Sequence, residues 1–280
     1  MIKNGIRQCA HAGSFYPADA TPLRQMIASF IDHAQANPTQ ANHIQTLSNN
    51  EAMQAPKAII APHAGYIYSG PVAASAYARL RMLRHRVSRV VLLGPSHQIP
   101  FTGFTTSSAH FFATPLGNVP LDRPTIDRIN LRHNVTESDQ AHALEHSLEV
   151  HLPFLQITLN DFQLTPIVVG DASPNTVSEL LIDLWGGTET LIVISSDLSH
   201  YHQYDTAQRL DTVTSKAIES FDIATLSGQS ACGFVPINGL LKHAGDINMR
   251  VKTIDCRNSA DTAGSRDRVV GYGAYVFAEQ

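Results

Sequence analysis

The stretch KAIIAPHAGYIYSGP, residues 57–71, sets the reading of the whole chain. Residues 57–61 form a short apolar run of the kind a doubly covered strand shows, and Pro62 stops it. His63 then stands where the chain leaves the sheet. Gly65 and Gly70 punctuate the turn that follows, Gly65 letting the backbone turn tightly, and a helix is expected over 72–83. The same texture recurs downstream. RVVLLG (89–94), LTPIVVG (164–170), TLIVISS (190–196) and GYGAYVFA (271–278) read as strands. Helical spacing appears at 21–36, 125–132, 144–159, 174–185 and 206–221. Continuous β-branched runs alternating with amphipathic helices define an α/β fold. Its central sheet is expected to be largely parallel, with helices on both faces.

Composition fits that class. The chain has 280 residues, 43% of them hydrophobic and 16% charged, as in an ordinary globular protein. A net charge of −4 argues against a nucleic-acid partner. No apolar run reaches the roughly 20 residues of a membrane span, so a membrane partner is not expected either. The opening residues lack the apolar core of a signal peptide, and a cytoplasmic location is the expectation. Three widely spaced cysteines, Cys9, Cys232 and Cys256, make no disulfide framework. NPTQANHIQTLSNNEAMQAP (37–56) is polar and aperiodic, an exposed insertion in what reads as a single domain over 1–280.

In parallel sheets the ligand crevice lies beyond the C-terminal strand ends. APH delivers His63 there, LLGPSH delivers His97, and ISSDLSH delivers Asp197 and His200. One such histidine is ordinarily a turn residue bonded to backbone; three at strand ends point to a shared site. Imidazole is the commonest metal ligand and the commonest general acid or base. His63 and His97 are the best ligand pair, with Asp197, Glu145 or the Cys232 thiolate as the anionic third. For Cys232 a small buried hydrophobe is an equally good reading. HALEHSLEVHLPF (142–154) sets His142, His146 and Glu149 on one helical face, and Glu145 and His146 are expected beside the pocket, orienting its groups. Tyr66, Tyr68 and Tyr201 are expected to line the cleft. No G-x-S-x-G elbow or phosphate-binding loop occurs, which sets hydrolase and nucleotide-binding readings behind a metal site.

Seven motifs occur in order along nearly the whole chain: HAGSFYP, APHAGYIYSG, LLGPSH, EHSLEVHLPF, SSDLSHY, ACGFVPI and VVGYGAY. Together they resemble the Memo family, including the microbial proteins called AmmeMemoRadiSam system protein B. The resemblance implies a three-layer α/β sandwich with a parallel or mixed central sheet, similar to the class III extradiol dioxygenases of the LigB type. It implies one transition metal ion held by His63, His97 and Cys232, with Asp197 and His200 as catalytic groups beside it. Iron(II) is favoured, with copper or zinc as alternatives. A thiolate where the dioxygenases carry a carboxylate softens the site, so catechol cleavage does not follow from the fold. The reading is a metal-dependent oxidoreductase acting on a small molecule. The alternative is a metal-handling or peptide-binding scaffold with a vestigial site. Other AmmeMemoRadiSam system proteins are the implied protein partners.

Overall fold

The computed structural model describes residues 2–37, 55–133 and 135–279. Apart from its ends, the polar insertion expected at 37–56 lies outside them. Among the described residues the main sheet has nine strands. Across it run His200–His202, Val269–Ala278, Ala58–Ala61, Thr190–Ser195, Arg89–Pro95, Gln163–Val169, Phe104–Thr106 and Thr136–Glu137, with Arg250–Asn258 paired to Val269–Ala278. The four central strands, from Ala58–Ala61 to Gln163–Val169, are parallel. Val269–Ala278 joins them antiparallel, so the sheet is mixed. A second, four-stranded sheet contains Ile2–Lys3, Ile6–Arg7, Phe111–Thr114 and Gly117–Pro120.

Side chains alternate across a strand, and here both faces are apolar. Ile59 and Ala61 enter one core with Val90, Leu92 and Val193. Ala58 and Ile60 enter the other with Val91, Leu93, Ile192 and Ile194. Helices Ala20–Ala36, Tyr66–Tyr77 and Leu152–Thr158 cover the first face through Leu23, Ile27, Val72 and Phe154. Helices Pro174–Leu184, Tyr204–Glu219 and Phe234–Asp246 cover the second through Val177, Leu181, Ile218 and Leu240. Each fully buried aliphatic side chain contributes about 1.5–3 kcal/mol, which holds the three layers together. No helix among the described residues is long and apolar enough to cross a membrane.

Two expectations change. The helix placed at 72–83 begins earlier, at Tyr66, and continues as a 3-10 helix over Ala78–Leu83. Gly65 has φ −57° and room for a Cβ, so it supplies no left-handed turn; its carbonyl accepts the first helical bonds, from Tyr68 and Ser69. The helix expected over 144–159 forms as two pieces, His146–Glu149 and Leu152–Thr158, and a separate short helix, Asp139–Ala143, precedes them. Pro153 sits in the first turn of the last piece, where its missing N–H costs nothing. In the turn between Ala143 and His146, Arg7 takes the orphaned carbonyls: Nε donates to His142 O at 2.9 Å and Nη2 to Glu145 O at 3.0 Å. The same guanidinium pairs with the buried Glu149 carboxylate.

Candidate metal centre

Strand register assembles the crevice. Ala61 lies opposite Ser195 across the Ala58–Ala61 and Thr190–Ser195 pair. Two residues beyond each, His63 and Asp197 therefore meet, and Asp197 Oδ1 accepts the His63 backbone N–H at 2.8 Å. His97 leaves the sheet two residues after Arg89–Pro95 ends. His146 comes from the broken helical segment. The turn between Ala143 and His146 sets His146 and His142 apart: His142 is buried, its Nε2 3.1 Å from Thr105 O, whereas His146 reaches the crevice.

Ligand-capable nitrogens of His63, His97 and His146 lie within 4.8 Å of one another. The His97 and His146 rings stack at 4.4 Å, and His63 stands edge-on to both, at 5.1 and 5.3 Å. His63 is buried at the floor and His97 opens to solvent. Burial, and then the neighbouring imidazoles, hold His63 well below its usual 6.5. The same causes bring His146 down to about 4. Near pH 7 both are neutral, the form that offers a lone pair.

Cys232 arrives from the opposite side, its Sγ 3.3 Å from His63 Nε2. The Asp197 N–H also points at that sulfur, at 3.3 Å. Gly233 makes the approach feasible, since a Cβ there would stand 2.5 Å from Ser195 O. Burial, with the Asp197 charge adding, pushes the thiol up to about 12. The free thiol is therefore protonated at neutral pH and a poor nucleophile, but a coordinated one loses its proton outright.

The three imidazoles fit a transition metal; Cys232 is not in the group that meets within 4.8 Å and approaches it through His63 Nε2. His97 Nδ1 lies 2.8 Å from Glu145 Oε1, an acceptor, which places the ring proton there and frees Nε2. A nitrogen and a sulfur on one tetrahedral ion are about 3.5 Å apart, near the His63–Cys232 separation. The chemistry of the set, imidazole and thiolate, suits iron, copper or zinc rather than hard cations.

The remaining expected residues fall into place unevenly. His200 lies within electrostatic reach of His63 and His97. Its Nδ1 donates to Leu198 O at 2.8 Å, so a backbone carbonyl, and not Asp197, holds its tautomer. Burial lowers its pKa. Burial raises Asp197 to about 7 despite the backbone N–H groups it accepts, and the residue braces two strand ends. Glu145 holds the His97 ring at 2.8 Å, whereas His146 stands among the ligand-capable atoms themselves. Tyr66 is no lining residue of an open cleft: it is 2% exposed, packs on Tyr16 and Phe154, and donates its hydroxyl to Val150 O at 2.6 Å. Tyr201 is exposed, with positive φ, and stacks under Arg268.

Sequence reasoning missed Ser195, His151 and Tyr77, which bond in series behind His63. It also missed Arg7 as the partner of Glu149. His151 was visible only as another histidine in an apolar segment, and Ser195 as the end of a strand.

Comparison with known proteins agrees with this architecture. The model of the Memo-like protein family matches residues 7–276. A MEMO1 family protein of Aeropyrum pernix is 34% identical, the alignment covering 96% of this chain and 98% of the relative. Those of Sulfolobus acidocaldarius and Methanosarcina mazei are 31% and 32% identical, covering 98% and 97% of this chain and 100% and 98% of theirs. Among solved structures, the crystal structure of uncharacterized protein JW3007 from Escherichia coli K12 matches with a TM-score of 0.53 at 12% identity. It covers 78% of this chain and 98% of that one, a likeness of fold. The family match spans nearly all the residues that build the two cores and the crevice between the strand ends, and the chain belongs to the Memo family.

Proposed function

We propose that the chain binds one transition metal ion, iron(II) by preference, through His63, His97 and Cys232, and uses it in oxidoreductase chemistry on a small molecule. The observation that carries this reading is the meeting of imidazole nitrogens within 4.8 Å, with the Cys232 sulfur 3.3 Å from one of them. When bound, such an ion supplies a redox couple or a Lewis acid. The chain's own residues do the rest. Glu145 fixes the His97 ring, and the Asp197 N–H donates toward the Cys232 sulfur. His200, with its Nδ1 proton tied to Leu198 O, has Nε2 free to take a proton from a substrate and return it. Exposed Tyr201 stands beside it on the rim.

A second reading rests on His146. If His63, His97, His146 and Cys232 all engage one ion, a tetrahedral site is closed and no position remains for substrate. That would be a metal-handling protein without turnover. Metal content of protein purified anaerobically under reducing conditions, measured with His146→Ala and Cys232→Ser variants, separates the two. The enzyme reading expects near-stoichiometric metal, little change in His146→Ala and strong loss in Cys232→Ser. Equal loss in both variants would favour the closed site. Metal-free protein would sink both readings.

A further inference from the structure

We propose that Ser195 is a positioning residue that locks His63 in the tautomer with its proton on Nδ1, leaving the lone pair on Nε2. The inference deepens the metal-site reading given above and rests on it for its purpose, but the tautomer itself is an independent property of the chain.

The argument is a count of hydrogens. Ser195 Oγ has three neighbours: Ser147 O at 2.5 Å, His63 Nδ1 at 2.6 Å and His151 Nε2 at 2.9 Å. A carbonyl can only accept, so the single hydroxyl hydrogen goes to Ser147 O. Both ring nitrogens facing the oxygen must then bring their own hydrogens. His151, protonated on Nε2, presents a bare Nδ1, and the Tyr77 hydroxyl donates to it at 2.8 Å. Every donor in the series has one acceptor, and the hydroxyl oxygen has filled both lone pairs. Ser195, Ser147 and Tyr77 are 0% exposed, and His63 and His151 are 1%. Water cannot stand in for any member, and an unmatched one would cost about 1–3 kcal/mol.

The consequence falls on the other side of the ring. His63 Nε2 is the nitrogen 3.3 Å from Cys232 Sγ. With the proton held on Nδ1, that atom is a donor to an ion at no tautomerisation cost. The two histidines are also supported differently: His97 by the carboxylate of Glu145, His63 by a neutral hydroxyl. His97 is thereby the more electron-rich ligand of the pair.

The test uses the full chain labelled with 15N-histidine, with the ring signals of His63 assigned by their loss in His63→Gln. Long-range proton–nitrogen correlation in the metal-free wild type is expected to show His63 protonated on Nδ1. In Ser195→Ala the pattern should move to a mixture of tautomers, and affinity for zinc(II), measured by chelator competition, should fall 10–100-fold. Tyr77→Phe removes the far end of the series while keeping Ser195. It should leave the His63 tautomer in place and change affinity less than threefold. Wild-type His63 protonated on Nε2, or an unaltered pattern in Ser195→Ala, overturns the proposal. So does a Tyr77→Phe loss of affinity equal to that of Ser195→Ala, which would mark general damage to the core. If wild type takes up no zinc, the metal-site reading fails, and the tautomer measurement alone decides this one.

Discussion

His97 and Glu145 are joined twice: the ring Nδ1 donates to Oε1 at 2.8 Å, and the backbone N–H donates to Oε2 at 2.6 Å. Burial would raise the Glu145 carboxyl, but the His97 bonds and the Ser147 N–H outweigh it and hold it at about 2. The carboxylate is thus ionised throughout the physiological range. Glu145→Gln replaces one acceptor oxygen with an NH2 that faces a donor. Metal affinity by chelator competition is expected to drop 10–100-fold, and thermal stability by about 1–3 kcal/mol. Unchanged affinity would mean His97 is not a ligand.

Gly233 carries the Cys232 turn against the end of the Thr190–Ser195 strand. A Cβ there would meet Ser195 O at 2.5 Å and Ser196 Cβ at 2.7 Å, atoms that cannot swing aside. Gly233→Ala should cost about 1–3 kcal/mol in denaturant unfolding and displace the sulfur, with a matching loss of metal uptake. Wild-type stability and uptake together would show that the turn tolerates the methyl.

The Arg7–Glu149 pair is buried, and Glu149 also accepts the Tyr16 hydroxyl at 2.5 Å and the backbone N–H groups of Ala10 and His11. Removing either charge leaves the other desolvated. Arg7→Met and Glu149→Met are each expected to lose about 3–5 kcal/mol, and the double variant to lose less than the sum. Additive losses in a double-mutant cycle would show that the pair is not coupled.

Acid should loosen the fold through His151. Burial lowers it from 6.5 to about 3. Between those values the unfolded chain binds a proton that the folded chain refuses, so stability is complete above about pH 6.5 and falls as pH drops toward 3. The slope is about 1.4 kcal/mol per pH unit. Asp211 acts in the opposite sense: burial raises it from 3.8 to about 7, so its contribution is present below about pH 4 and lost as pH rises through 7. Urea midpoints between pH 4 and 7 should fall less steeply with acid in His151→Gln, and more steeply in Asp211→Asn. Parallel profiles in all three proteins would contradict both assignments.

The main strands were legible because apolar, largely β-branched runs such as KAIIA and TLIVIS have one good destination, a sheet covered on both faces. Their ends therefore located His63, His97 and Asp197. The helix at 144–159 misled because its apolar spacing is helical, yet it opens only at His146, after a turn whose His142 and Glu145 carbonyls are taken by Arg7 from far away in the chain, and it is interrupted between Glu149 and Leu152. Local pattern carries no sign of a guanidinium that caps another segment's carbonyls. Tyr66 misled for a related reason: beside a histidine and glycines it resembles a cleft residue, yet Val150 O and the rings of Tyr16 and Phe154 claim it. Ser195 was invisible because a serine ending a strand has no distinguishing spacing; only three partners around one oxygen reveal it.

The turn whose carbonyls Arg7 takes also bears on how the protein is made. Arg7 and Glu149 are 142 residues apart, and His63 and Cys232 are 169 apart. Each contact closes a long loop, the slow kind of event in folding. During synthesis the amino-terminal arginine must wait for a segment half a chain later, and the cysteine reaches the crevice after most of the sheet has left the ribosome. Until then the crevice lacks the Cys232 sulfur beside His63. Completion of the site is thus coupled to completion of the chain.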